Sequence, residues 1–136
     1  MLERFLKKDA ERGLDLPGAV CALLVAAARA DGEFSAGEAR TLAGMVAARF
    51  ALSPEATARL VTDVAAEEHL DLYPVTRWLM DNADRDQRAE VVRLMWSVVF
   101  SDGRLEDRED QLMHRVGKLL GLSHQDLIAL KLAARP

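Results

Sequence analysis

Apolar residues recur along this chain at the helical period, and no stretch alternates in the way of a β-strand. The two most strongly apolar stretches are residues 20–30 and 91–101. The first is apolar nearly all round and the second carries a broad apolar face, which is typical of buried helices. We therefore predict an all-α bundle of seven or eight helices in which these two central helices pack on each other.

Capping signals mark where the predicted helices begin and end. Ser35 with Glu38, and Asp84 with Gln87, have the spacing of capping boxes. Leu2, Phe5 and Leu6 indicate a short amphipathic helix before Gly13. Further starts are predicted near Pro17, Ser53, Pro74 and Ser123, and stops at Gly32 and Gly121.

One motif occurs twice. Residues 31–38 (DGEFSAGE, the first motif) and 102–109 (DGRLEDRE, the second motif) share Asp-Gly, a large apolar residue and a final Glu. Each follows an apolar stretch and precedes a helix-like segment that ends in Leu-Ser, at residues 52–53 and 122–123. The recurrence predicts an internal duplication with pseudo-twofold symmetry.

The duplication divides a chain of 136 residues, which is the size of one ordinary domain. We predict an N-terminal amphipathic helix and linker at 1–16 and a first repeat at 17–66. A linker with a short helix follows at 67–86, and the second repeat occupies 87–133.

Charge and composition narrow the classes of partner. Half of the residues are apolar, 29% are charged, and the net charge of −4 is spread over both halves. Nucleic acid is not expected as a partner, because phosphate binding needs a concentrated basic face. The longest apolar run, residues 19–28, is half the length of a membrane span.

Cysteine usage and the N-terminus predict a cytoplasmic protein. Cys21 is the only cysteine, which favours a reducing compartment, and residues 1–13 lack the apolar stretch of a signal peptide. Cys21 has no basic neighbour to activate it and is expected to be a small buried hydrophobe.

The repeated acids invite a calcium hypothesis. They do not form an EF-hand, because with Gly32 at position 6 of the loop, positions 1 and 3 hold Ala27 and Arg29. If the twofold brings the two turns together, however, four carboxylates would suit a hard divalent cation. The candidate ligands are Asp31, Glu38, Asp102 and Glu109.

A structural interpretation stands beside the metal hypothesis. A helix stop, an apolar staple and a capping acid explain the first motif without any ligand. The four acids would then be caps, or partners in an ion-pair network with Arg29, Arg40, Arg104 or Arg108. Asp31 and Asp102 remain unexplained by capping, since acids at a helix C-terminus oppose its dipole.

Other candidate chemistry is weaker. His69 lies in an acidic stretch and is expected in a solvated loop, while His114 and His124 are expected at the surface. Trp78 and Trp96 have the helical spacing of core residues. No catalytic triad, phosphate-binding glycine loop or zinc motif is found, so we do not expect an enzyme.

The doubled motif, each copy on an apolar helix, resembles the TerB-like domain of bacterial tellurite-resistance proteins, in particular small stand-alone members. The resemblance runs from about residue 20 to 131 and includes residues 27–32 (AARADG), 49–52 (RFAL), 71–73 (DLY) and 118–123 (KLLGLS). Residues 74–75 (PV) depart from the family's pattern, in which an aromatic residue is commoner there.

The resemblance implies an all-helical fold and a non-enzymatic role in tellurite resistance and related stress responses. Family members are thought to bind metal ions through acidic residues and to work in protein complexes, some at the membrane. The family's acidic positions correspond here to Asp31, Glu38, Asp102 and Glu109. The implied cofactor is a divalent metal ion, and the implied partners are proteins of a stress-response complex, with peripheral membrane association through a partner. A metal-free helical adaptor is the alternative.

Overall fold

The computed structural model describes residues 15–30, 32, 34–102 and 105–135, with the side chain of Asp102 excepted. Over these residues the chain forms seven α-helices and one 3₁₀ turn at Phe100–Asp102, and no strand. The helices are α1 (Leu16–Arg29), α2 (Ala36–Phe50), α3 (Pro54–Ala65), α4 (Leu72–Asn82), α5 (Arg85–Val99), α6 (Asp107–Leu119) and α7 (His124–Ala134). The all-α bundle is confirmed. The amphipathic helix predicted before Gly13 lies outside the described residues.

The core is built around α1 and α5. Ten of the fourteen residues of α1 are buried, so this helix is enclosed on every side. It packs against α2, α3, α4 and α5, and α5 in turn packs against α6 and α7. The predicted contact between the two central helices is confirmed. Burial of each large side chain here, such as Leu23 and Leu24, contributes roughly 1.5–3 kcal/mol.

The predicted capping boxes are present. The backbone N–H of Glu38 donates to Ser35 Oγ at 3.1 Å, and the N–H of Ser35 donates to Glu38 Oε1 at 2.7 Å. Asp84 and Gln87 exchange the same two bonds at 2.8 Å each. Because each box satisfies backbone donors that the first turn leaves open, the helix starts follow from local sequence.

Both described glycine stops adopt positive φ as predicted. Gly32 has a φ of 100° and Gly121 a φ of 75°. After Gly121, the N–H of Leu122 donates to the carbonyl of Gly117 at 2.9 Å, which closes the end of α6. The equivalent turn after α2 uses Ala51 at a φ of 54°, the one described residue other than glycine with positive φ.

Helix α4 begins earlier than predicted. Pro74 was expected at the first helical position, but α4 begins at Leu72 and Pro74 is its third residue. The cap is Asp71, whose Oδ1 accepts a hydrogen bond from the N–H of Tyr73 at 3.1 Å. Proline is tolerated throughout the first turn, since those N–H groups have no helical partner. Sequence position alone could not separate these alternatives.

The two halves of the chain pack in the same order. In the first half α1 contacts α2 and α3, which contact each other; in the second half α5 contacts α6 and α7, which also contact each other. The pseudo-twofold duplication itself stays a prediction.

A cleft between the two acidic motifs

A cleft of about 550 Å³ lies where the two halves meet. It is bordered by the end of α1, the first turns of α2, the end of α5 and the start of α6. Its lining comprises Ala28, Ser35, Gly37, Glu38, Thr41, Leu42, Met45, Ser97, Val98, Val99, Ser101 and Glu109. The final glutamates of both motifs, Glu38 and Glu109, therefore line one cleft.

Glu38 reaches the cleft as the third residue of α2. Its Oε1 is held by the N–H of Ser35, so the capping box also fixes the direction of the side chain. The residue is half-buried. On the same face of α2, Thr41, Leu42 and Met45 follow at the spacing of one helical stripe, and all three line the cleft.

Glu109 occupies the equivalent position in α6, in a drier environment. Its Oε1 accepts the N–H of Glu106 at 2.8 Å, and only 4% of the residue is exposed. Burying a carboxylate costs folding free energy unless the group is hydrogen-bonded or paired, and the N–H of Glu106 supplies one such hydrogen bond. The second motif thus keeps the capping glutamate although glutamate replaces serine at the cap.

The side chains of Asp31 and Asp102 lie outside the described residues. Ala28, three residues before Asp31, and Ser101, directly before Asp102, both line the cleft. Of the four predicted ligands, Glu38 and Glu109 line the cleft. The positions of the Asp31 and Asp102 side chains stay a prediction.

The lining of the cleft combines apolar side chains and hydroxyl groups. Leu42 and Met45 come from α2, and Val98 and Val99 come from α5. Ser35, Thr41, Ser97 and Ser101 provide the hydroxyls. The sequence predicts Ser35 only as a helix cap, and no local pattern indicates that residues of α2 and α5 line one cleft.

Arg29 is engaged outside the cleft. Its Nη1 donates to the carbonyl of Glu67 at 2.8 Å, and its Nη2 donates to the carbonyl of Ala65. The guanidinium therefore caps the C-terminus of α3, where carbonyl groups lack helical partners. Of the arginines proposed as ion-pair partners for the acids, this one serves the α3 terminus, a role that no local sequence signal indicates.

The remaining cysteine, tryptophan and histidine candidates lie in the core or at the surface. Cys21 is fully buried, as predicted, and burial raises the pKa of its thiol to about 12. Trp96 is fully buried and stacks on Phe100, with ring centroids 5.7 Å apart. His114 and His124 lie at the surface as predicted and stack on each other at 5.4 Å.

The described residues alone do not form a metal centre. Within residues 15–30, 32, 34–102 and 105–135, no three histidine, cysteine, aspartate or glutamate side chains converge closely enough to hold an ion. In the same ranges, none of the helices combines the length and the apolar character that crossing a bilayer requires.

Fold and cleft together define an all-α bundle with a cleft that is lined by one glutamate from each motif. The family described as "Tellurite resistance protein TerB" matches residues 18–132. The chain therefore belongs to the TerB family. Comparison with curated proteins and with solved structures finds no match.

Proposed function

We propose that this protein is a non-enzymatic binding module of the tellurite-resistance and stress-response type, which holds a divalent metal ion and acts within a protein complex. The observation that carries the proposal is the cleft lined by Glu38 and Glu109, one from each motif. The metal ligands would be Asp31, Glu38, Asp102 and Glu109.

The donor chemistry of the cleft supports a hard cation. Carboxylate and hydroxyl oxygens are the ligands that Ca²⁺, Mg²⁺ and Mn²⁺ prefer, and the described lining includes two carboxylates and four hydroxyls. The capping boxes direct both glutamates and limit the side-chain entropy that binding would cost.

A second candidate function is a metal-free helical adaptor. The same capping boxes favour it, since Glu38 Oε1 and Glu109 Oε1 each already accept a backbone N–H. In that case the acids maintain the fold, and the function lies in protein–protein contacts. In both cases we propose a cytoplasmic protein whose partners are other proteins.

The test is thermal unfolding of chelator-treated protein titrated with Ca²⁺, Mg²⁺, Mn²⁺ and Zn²⁺. An ion that binds the native state must raise the midpoint as its concentration rises. The Asp31→Asn/Asp102→Asn variant should lose this rise. The matched control is Asp63→Asn/Asp81→Asn, which removes the same charge from exposed positions on α3 and α4.

A saturable rise with one ion, lost in the motif variant and kept in the control, would support the metal module. If no ion shifts the midpoint and the motif variant melts lower without metal, the adaptor is favoured.

A further inference from the structure

Two of the three histidines of the chain lie against each other at the surface. His114 belongs to α6 and His124 is the first residue of α7, and their ring centroids are 5.4 Å apart. The side chain of His114 is 37% exposed, and His124 is exposed as well. Both rings are therefore accessible to a solute, and they lie outside the lining of the cleft.

Close packing of α6 and α7 holds the backbones that carry the two rings. Gly117 and Leu127 each lie one helical turn after a histidine, and both are buried. A Cβ on residue 117 would come within 3.0 Å of Leu127 Cδ1, so the two helices approach closely because glycine has no side chain. The histidines are thus carried by two packed helices rather than by a loop, which limits how far they can move apart.

The separation of the rings is that of two imidazoles bound to one metal ion. With a Zn–N distance of about 2.0–2.1 Å and a ring centre roughly 1.1–1.2 Å behind the nitrogen, tetrahedral geometry places two ring centroids about 5.2 Å apart. The 5.4 Å between His114 and His124 matches this separation. The ring planes now differ by 25°. Rotation about χ2, which is a soft torsion in histidine, would turn a nitrogen of each ring to a common point while the centroids hardly move.

Asp110 prepares one of the two rings. Its Oδ1 accepts a hydrogen bond from Lys131 Nζ at 3.2 Å, and its Oδ2 lies 3.5 Å from Nε2 of His114. A carboxylate beside Nε2 favours the tautomer that carries its proton on that nitrogen, which leaves the lone pair on Nδ1. A carboxylate on the second ring nitrogen is also the usual outer partner of a metal-bound histidine.

We propose that His114 and His124 chelate a divalent ion of the Zn²⁺, Ni²⁺ and Cu²⁺ class, with water completing its coordination. Imidazole is a preferred ligand of these ions, whereas Ca²⁺ and Mg²⁺ prefer oxygen ligands. Over the described part of the chain, no third histidine, cysteine, aspartate or glutamate converges with the pair, so the site is open to solvent. The bound ion joins α6 to α7. The proposal uses neither the acids of the two motifs nor a hard cation, and it is therefore independent of the proposed function.

The experiment is a titration of tag-free, chelator-treated and isotopically labelled protein with Zn²⁺, followed by the imidazole nitrogen resonances near neutral pH. The chain has three histidines, and the exposed His69 serves as the internal reference. We expect the resonances of His114 and His124 to shift together and to saturate at one ion per chain, with His69 unmoved. Ca²⁺ should shift none of the three. Before Zn²⁺ is added, the resonances of His114 should place its proton on Nε2.

Variants separate the histidine pair from the cleft. His114→Gln and His124→Gln should each weaken Zn²⁺ binding at least about tenfold, because a single imidazole lacks the chelate effect. The matched control is His69→Gln, which removes an exposed histidine elsewhere and should bind Zn²⁺ as the wild type does. The Asp31→Asn/Asp102→Asn variant should also retain the shifts of both histidines.

Unchanged Zn²⁺ affinity in either variant of the pair, two chains per ion, a proton on Nδ1 of metal-free His114, or no saturable shift at millimolar Zn²⁺ would each overturn the inference. The proposed function is judged separately. A Zn²⁺ response that the Asp31→Asn/Asp102→Asn variant keeps and His124→Gln loses belongs to the histidine pair, whereas the reverse pattern belongs to the cleft and overturns the inference.

Discussion

The same motif position has two different environments in the two halves of the molecule. Glu38 is half-buried beside a serine cap, whereas Glu109 is 96% buried beside a glutamate cap. Both glutamates accept an N–H from their own cap residue. A repeated sequence thus preserves the local hydrogen bond, while burial is decided by what packs over it. Glu38 is therefore the more accessible of the two glutamates, and Glu109 is the more deeply buried.

The central helices differ in a similar way. Helix α1 is enclosed on every side, but α5 has an open face where Ser97 lines the cleft. We predict that Cys21 in α1 reacts with a thiol reagent at least about 1,000-fold more slowly than a cysteine introduced by Ser97→Cys. Raising the pKa of Cys21 to about 12 lowers its thiolate fraction by roughly that factor, even before access is considered.

The measurement is the labelling rate at pH 8 in native buffer, with the Cys21→Ser/Ser97→Cys variant isolating the second site. Both cysteines should react alike in denaturant. Rapid native labelling of Cys21 would contradict the enclosed α1.

Replacing each of the two motif glutamates by alanine, one at a time, should show how much each contributes to stability. Glu109→Ala should lower the free energy of unfolding by about 2 kcal/mol, because the part-buried N–H of Glu106 loses its partner and a buried side chain is removed. Glu38→Ala should cost roughly 0.5–1 kcal/mol, as expected for an accessible capping box. Denaturant unfolding at pH 7 measures both, and Glu55→Ala serves as a control for a first-turn acid without a box. Equal losses of unfolding free energy in Glu38→Ala and Glu109→Ala would contradict the different environments of the two glutamates.

The turns that end α2 and α6 have different residues at the position of positive φ, alanine in the first turn and glycine in the second. Ala51 and Gly121 both have positive φ, a region in which an L side chain costs roughly 1–2 kcal/mol. Ala51→Gly should therefore stabilise the protein by about 0.5–1 kcal/mol, with glycine's entropy offsetting part of the gain. Gly121→Ala should destabilise it by about 1 kcal/mol or more, since the new Cβ would also lie 3.3 Å from Met80 Cε.

Thermal or denaturant unfolding tests the pair together. Opposite signs are expected, and a stabilising Gly121→Ala would mean that the two turns are not equivalent.

The smallest predicted effect concerns an ion pair that joins the halves. Glu90 on α5 binds Arg93 at 2.7 Å and lies 3.6 Å from Arg49 at the end of α2. The hydrogen bond from Arg93, together with both arginine charges, lowers the pKa of Glu90 below its ordinary value. Its stabilising contribution is therefore complete above that ordinary value, near 4.5, and disappears as the pH falls through the lower, folded-state pKa.

Glu90→Gln should cost about 0.5 kcal/mol at pH 7, with the difference from wild type shrinking below about pH 4.5. Unfolding free energies measured across pH 2 to 7 give this comparison. A difference that grows towards low pH would have the wrong sign for this ion pair.

Local signals explain most of the fold. The capping boxes at Ser35 and Asp84 and the glycine stops at Gly32 and Gly121 could be predicted because each depends on a few adjacent residues. The start of α4 could not, since Pro74 is compatible with several positions in a first turn.

The candidate site was predictable only in part. Glu38 and Glu109 stood out because the motif repeats, but the apolar and hydroxyl side chains that share the cleft with them are brought together only by the tertiary structure. Arg29 forms hydrogen bonds with the carbonyls of Ala65 and Glu67, which lie 36 and 38 positions further along the sequence. No rule of local spacing could reveal contacts at that separation.

That contact of Arg29 has a mechanical consequence. Arg29 lies in the last turn of α1, two residues before the first motif. Its guanidinium binds the carbonyls of Ala65 and Glu67, where the segment that connects the two halves begins. The two hydrogen bonds of Arg29 thus tie the last turn of α1 to the backbone at residues 65 and 67. Lysine, with a single ammonium head, would not clamp both carbonyls in the same planar fork. We therefore expect the last turn of α1 and the start of the segment that connects the halves to shift together rather than independently.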